Sequence, residues 1–398
     1  MLTYKYKAIS KKGAEIEGFI EAFSEYEAIN KIKESHDIVT SISEVKMGKG
    51  NAVTGKINEK ALAILCSQLS VIVGAGLPIL RAVEMIAAQT ENKKLKAIME
   101  GVSKDVASGV SLAKSFQTKG PNLPITFIET IRSGEESGTL EHSFRRLHDY
   151  FDKSAKMKGK VKNAMVYPGF TMIVAVLVII IIMVKAVPVF TSSFAELGVD
   201  LPLPTKMLIG LSNFFVHYWF ALVALIALVL VVYKLYEKKE DNRLKLERLK
   251  LKIPIFGKLA MLKQASQFAA TMSTLIGAGL PVVEAVSITG KVMDNKYVGS
   301  QVKGTVSMLE EGKRLGDSLH NRTELPQLLV EMTAVGEETG SLESTLDTIG
   351  EFYDGEIDTQ TSRMVTLLEP IIISVLAVVV LFILVSVYAP MFSLYGGI

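Results

Sequence analysis

Cysteine is almost missing from this chain. Cys66 is the single one in 398 residues, so no internal disulfide can form. That fits a reducing compartment, and the apolar helical stretch around Cys66 predicts burial, not reactivity. Histidine is scarce as well: His36, His142, His148, His217 and His320 lack the spacing of a metal-ligand set. Excess charge is missing, since 44 basic and 41 acidic residues leave a net +3, too little to point to nucleic acid. There is no zincin motif, and Gly299-Ser-Gln-Val-Lys-Gly-Thr305 lacks the Gly-Lys-Ser/Thr ending of a phosphate-binding loop. The first residues have neither an apolar core nor a small-residue cleavage site, so the N-terminus is expected to stay in the cytoplasm. These absences predict a protein that is not an enzyme and has no catalytic, cofactor-binding or metal-binding residues.

Long apolar runs are abundant, and they come with an internal repeat. Gly74-Ala-Gly-Leu-Pro78 returns unchanged as Gly277-Ala-Gly-Leu-Pro281, shifted by 203 positions. Gly134-Glu-Glu-Ser-Gly-Thr-Leu-Glu141 returns as Gly336-Glu-Glu-Thr-Gly-Ser-Leu-Glu343, shifted by 202. Each copy then reaches a proline that opens an apolar segment, Pro168 in the first and Pro370 in the second. The chain therefore contains a duplicated unit, a polar helical domain followed by a membrane span. An apolar content of 49% with 21% charged residues suits such a mixture.

Three segments, 168–190, 211–235 and 370–390, qualify as transmembrane helices. Lysines crowd the approach to the first (Lys153, Lys156, Lys158, Lys160, Lys162), and Lys234, Lys238, Lys239 and Arg243 crowd the exit of the second. The positive-inside rule then places both repeats in the cytoplasm and the loop 191–210 outside. The unpaired second span returns the chain to the inner face, so the two repeats can share it. The approach to the third span is acidic (Glu351, Asp354, Glu356, Asp358), so its orientation follows from span parity and the repeat. Lys185 can snorkel from the first span, and His217, Tyr218 and Trp219 fit an aromatic belt on the second. Tyr167-Pro168 and Glu369-Pro370 are the domain-to-span junctions, and Glu369 reads as an acid at a helix start.

The expected fold is mainly α: a multi-pass membrane protein with two homologous cytoplasmic helical bundles, three transmembrane helices and a small α+β N-terminal module. Residues 1–46 form that module, with a hairpin turning at Gly13, a helix opened by Ser24-Glu-Tyr-Glu27 and a strand at Val39 to Val45. A linker spans 47–57 and the first repeat 58–165. A juxtamembrane helix and the second repeat occupy 236–367, and 391–398 is a short external tail. The basic run between Tyr236 and Lys252 is expected to lie on or leave the anionic inner leaflet.

Each repeat reads as about six helices. Leu62, Leu65, Leu69 and Ile72 share one face of its first helix. Gly74 or Gly76 can end that helix and Pro78 can open the next, which makes a helix–helix corner, repeated at Gly277, Gly279 and Pro281. Gly134, Gly138, Gly336 and Gly340 mark a second pair of corners, where Ser137 or Thr139 can cap the following helix. Their adjacent carboxylates, Glu135 with Glu136 and Glu337 with Glu338, also offer an acidic contact to a partner or to the other lobe, or a weak cation site.

In the order of these motifs, the chain resembles the type IV pilus inner-membrane platform proteins and the F subunits of type II secretion systems. The likeness takes in Tyr4-x-Tyr6-x-Ala8 with Gly13 and Gly18, the paired corners, Tyr167-Pro168 and Glu369-Pro370. It implies an inner-membrane scaffold that couples a cytoplasmic hexameric ATPase to the insertion or extraction of pilin or pseudopilin subunits. It further implies other inner-membrane assembly proteins and membrane lipid as partners, a homo-oligomer, and no nucleic acid. A type II secretion or competence pseudopilus platform is the alternative. A transporter would need facing polar groups at mid-membrane, and a sensor an outer domain longer than 191–210.

Overall fold

The computed structural model describes residues 2–9, 15–22, 25–35, 38–44, 55–189, 192, 202–254 and 256–395. The turn at Gly13, Ser24 of the capping box, Val45 at the end of the expected strand, most of the linker, half of the expected external loop and residues 396–398 lie outside them. Two compact units divide the chain at 148/149 and are described in turn.

The first unit opens with strands β1 (Leu2–Ile9), β2 (Glu15–Ala22) and β3 (Ile38–Glu44), antiparallel in the order β2-β1-β3. Tyr4 pairs with Ile20 and Tyr6 with Ile42, and the register with β3 slips between Lys7 and Ala8. Helix α1 (Glu25–Ser35) follows β2 and buries Ile32.

The first lobe comprises α2 (Glu59–Gly74), α3 (Ile79–Gln89), α4 (Lys93–Ala107), α5 (Leu112–Lys119), α6 (Ile125–Ser137) and α7 (Leu140–Ala164). Asn58 caps α2 by accepting from the Lys60 amide, and Leu62, Leu65 and Leu69 are buried as their helical spacing requires. Cys66 is fully buried among them, and burial pushes its thiol pKa up, so the thiolate nucleophile is suppressed. Phe116 and Phe127 meet edge to face at 5.0 Å in the core, and Phe144 and Leu147 from α7 are fully buried as well.

The second unit takes up α7 from Asp149. Helix α8 (Val166–Ile181) continues into a π-helical turn, Ile182–Ala186. Helix α9 (Leu203–Glu237) is 35 residues long and begins inside the segment expected as the external loop. Helix α10 (Glu240–Lys252) leads to the second lobe: α11 (Phe256–Gly277), α12 (Val282–Val292), α13 (Lys296–Gly304), α14 (Val306–Glu310), α15 (Leu315–Arg322), α16 (Gln327–Glu338) and α17 (Leu342–Tyr395). This copy has one more helix than the first because the counterpart of α4 breaks at Gly304-Thr305. The phosphate-loop lookalike at Gly299 is helical, and a Cβ on Gly299 would come within 2.5 Å of the Gly290 carbonyl oxygen. That glycine serves close helix packing.

Helix α17 corrects the expected third junction. It runs unbroken for 54 residues, so Glu369 and Pro370 lie in its interior and not at a helix start. It also extends through Tyr395, into the expected tail. Among the described residues two stretches, Leu140–Val189 and Leu342–Ala389, are long and apolar enough to cross a membrane. Their apolar side chains are widely exposed, among them Phe170, Ile173, Val378 and Leu381.

Candidate functional site

The Gly-Glu-Glu-(Ser/Thr)-Gly motif forms the last turn of a helix and the left-handed residue that ends it, at the corner before the next helix. Gly134 and Gly336 are helical and buried, whereas Gly138 and Gly340 take the left-handed conformation at φ 73° and 68°. The turn is closed by Thr139 N donating to Gly134 O at 2.8 Å and Ser341 N to Gly336 O at 2.9 Å. The hydroxyls of Ser137 and Thr139 bond to each other at 2.7 Å.

The two acids of each motif have different surroundings. Glu135 is half-buried, and its carboxylate accepts from the backbone amides of Leu112 at 2.7 Å and Ala113 at 3.1 Å. Glu337 repeats this on Leu315 at 2.8 Å and Gly316 at 3.1 Å. Each glutamate thus caps the N-terminus of a neighbouring short helix, satisfying orphan amides and complementing the helix dipole. Glu136 and Glu338 are exposed, and Glu338 pairs with Arg314. The expected pair of adjacent exposed carboxylates therefore reduces to the second glutamate of each motif. The capped helices carry a repeated signal of their own, Gly109-x-x-Leu-x-x-Ser115 and Gly312-x-x-Leu-x-x-Ser318, which could have revealed the acceptor-seeking amides. Glu135→Ala should lower thermal stability by about 1–2 kcal/mol, and Glu136→Ala by less than about 0.5, as read by thermal unfolding of the purified protein.

The Gly-Ala-Gly-Leu-Pro corners are Schellman turns. Gly76 and Gly279 are the left-handed residues at φ 82° and 93°, and Leu77 N donates to Ile72 O at 3.3 Å. Pro78 and Pro281 stand immediately before the next helices. In the first lobe this corner and the acidic motif converge. Ser70 Oγ donates to the Glu141 carbonyl at 3.3 Å, and Gly74, Glu141, Arg145 and His148 line one cleft of about 390 Å³. His148 Nδ1 lies 3.0 Å from the Ala63 carbonyl oxygen, within hydrogen-bonding distance. Among the described residues no three His, Cys, Asp or Glu side chains gather as a metal set.

The junctions carry a second arrangement. Lys153 reaches both Asp347 and Glu351 at 3.3 Å, and Lys160 pairs with Asp358. The lysine row before the first apolar segment is thus joined to the acidic row before the last. Exposed bridges of this kind contribute under about 1 kcal/mol each, so they align α7 with α17 more than they stabilise it. Pro168 occupies the third position of α8, just after the break at Met165, where a missing N–H costs nothing.

A third cluster joins the apolar helices. The π-helical turn leaves backbone groups to be satisfied, and Ser212 Oγ on α9 donates to Met183 O at 2.6 Å. Thr205 Oγ1 donates to Ser386 O at 2.6 Å, and Ser386 Oγ to Pro204 O at 3.1 Å. Met183, Val187, Leu208 and Ile383 pack around these bonds. The start of α9 therefore lies against the late parts of α8 and α17.

Comparison with known proteins places these features in a family. The profile described as type II secretion system (T2SS), protein F, matches twice, over residues 65–188 and 268–390. Each match takes in a helical lobe together with the apolar helix behind it. The profile of the protein F N-terminal domain matches residues 1–43. The type IV pilus assembly protein PilC of Pseudomonas aeruginosa is 32% identical over 87% of this chain and 94% of its own length. The protein of the same name from Thermus thermophilus is 30% identical over 100% and 99%. The type II secretion system protein F of Vibrio cholerae is 26% identical over 99% and 98%. The chain belongs to the type II secretion system protein F family, which takes in type IV pilus assembly proteins of the PilC type.

Proposed function

We propose that this protein is the inner-membrane platform of a type IV pilus machine, coupling a cytoplasmic hexameric ATPase to the movement of pilin subunits. The observation that carries the reading is that each family match runs without interruption from a helical lobe into an apolar helix. In the second copy, a displacement imposed on the lobe has one unbroken helical path into the apolar segment. Helix α17, at 1.5 Å per residue, is roughly 80 Å long.

In this reading α8, α9 and the apolar part of α17 are three spans. The antiparallel packing of α9 against the other two supports that count. Both lobes and the N-terminal strands face the cytoplasm, and the polar contacts around Ser212 and Ser386 lie toward the outer leaflet. The protein catalyses no reaction, and its work is supplied by the ATPase. Glu136 and Glu338 are the proposed contacts with that ATPase or between lobes, since Glu135 and Glu337 are engaged as helix caps.

Gentle crosslinking in the native host, followed by purification, tests the platform role. The expected result is co-recovery of a hexameric ATPase with pilin-like subunits; recovery of neither from cells assembling filaments overturns it. Pseudopilins in place of pilins would select the secretion or competence machine, the role named for the Vibrio cholerae relative. Glu136→Arg with Glu338→Arg should abolish filaments at normal protein levels. Intact filaments in that double variant would remove both residues from the contact.

A further inference from the structure

In the second unit, α7, α10 and α11 enclose a pocket of about 600 Å³ just before the first apolar segment. Its walls are apolar: Val161 and Met165 from α7 and the residue that follows it, Ile253, Phe256 and Leu259 from the α10–α11 turn, and Ile357. Ile253 and Phe256 are 45% and 48% exposed, so the walls open outward as well as into the pocket. The turn depends on Gly257, where a Cβ would come within 2.1 Å of the Leu251 carbonyl oxygen.

The rim is basic. Lys158, Lys162, Lys250 and Lys263 all line the pocket. Lys250 is paired with Glu247 at 2.6 Å and Lys263 with Asp294 at 2.7 Å, whereas Lys162 has no carboxylate partner among the described residues. The net sign of the rim is therefore positive. Met165 immediately precedes α8, which puts the mouth where an apolar helix begins.

An apolar cavity with a cationic rim at the start of a span matches one ligand chemistry closely. Apolar walls take hydrocarbon, and ammonium groups on flexible stems reach an anionic headgroup. The volume lies within the ~300–1,000 Å³ range of small-ligand clefts. We infer that this pocket is a specific site for an anionic phospholipid of the inner leaflet, with an acyl chain against Val161, Phe256 and Ile357 and the phosphate at Lys158 and Lys162. The inference rests on the membrane-spanning reading above. It differs from general attraction of a basic helix to the leaflet, because one lipid molecule is held at one place. A lipid seated there would also bridge α7 and α11, one from each repeat.

The test uses the full-length protein in bilayer discs of phosphatidylcholine with a minor fraction of phosphatidylglycerol, with retained lipid identified by native mass spectrometry. The wild type should retain phosphatidylglycerol in preference to phosphatidylcholine. K158Q/K162Q should lower that preference on the order of tenfold. A260F, which fills the pocket without touching charge, should lower retention of phosphatidylglycerol to the level of bulk lipid. Equal retention of the two lipids by the wild type overturns the inference. So does unchanged preference in both variants, each shown by circular dichroism to be folded. Carbonate washing of cell membranes separates the two levels. Release of the protein overturns the spanning reading and the site with it, whereas retention without lipid preference overturns the site alone.

Discussion

Replacing Pro370 with alanine should stabilise the protein by up to about 3 kcal/mol, whereas Pro168→Ala should change stability by less than about 0.5. The two prolines occupy equivalent places in the repeat, but the helix treats them differently. Pro168 sits within the first turn of α8, where its nitrogen would have no partner. Pro370 lies deep inside the unbroken helix Leu342–Tyr395, where its ring nitrogen cannot donate to the carbonyl of Thr366. Thermal unfolding in detergent reads the difference directly. Two equal effects would mean that both prolines occupy the same kind of position. If Pro370 is kept for movement, the more stable alanine variant should insert normally and assemble filaments poorly. Normal assembly would remove Pro370 from any transmission role.

The second large effect is expected at the acidic motifs. A Cβ on Gly134 would lie 2.2 Å from Ser143 Oγ and 2.8 Å from its Cβ. On Gly336 it would meet Thr345 Cβ at 2.9 Å and the Leu342 backbone at 3.1 Å. Neither site can absorb a methyl group without moving one helix off the next. Gly134→Ala and Gly336→Ala should each cost about 1–3 kcal/mol, and the valine variants more. Ser143 is fully buried and its hydroxyl has no hydrogen-bond partner among the described residues, so it is held there by shape. Ser143→Gly should therefore recover much of the Gly134→Ala loss in a double-mutant cycle. Additive losses would show that the clash is relieved elsewhere.

These predictions mark how far the chain could be read in one dimension. The helical faces were legible, because burial follows the 3.6-residue period: Leu62, Leu65 and Leu69 are buried, as are Phe144, Leu147 and Phe151. The repeat was legible because identical turns need identical glycines, and Gly76 and Gly279 share one conformation. The use of Glu135 was not legible. Its partners lie 22 and 23 residues earlier on another helix, a distance that no local pattern spans.

The charged rows before the apolar segments show the same limit. Read in sequence, the lysines of α7 are membrane-flanking cations and the acids before Pro370 are an anomaly. Folding brings the two rows together, and Lys153 meets Asp347 and Glu351 across about two hundred residues of chain. By itself, sequence determined the family, the duplication, the apolar segments and the faces that become core. Those properties depend on composition, spacing and local backbone preference. Tertiary structure alone decided which glutamate is a helix cap and which is exposed, that Pro370 lies inside a helix, and that four lysines surround an apolar pocket. Each of these depends on packing between helices far apart in the chain, where the energy comes from contacts that local sequence does not encode.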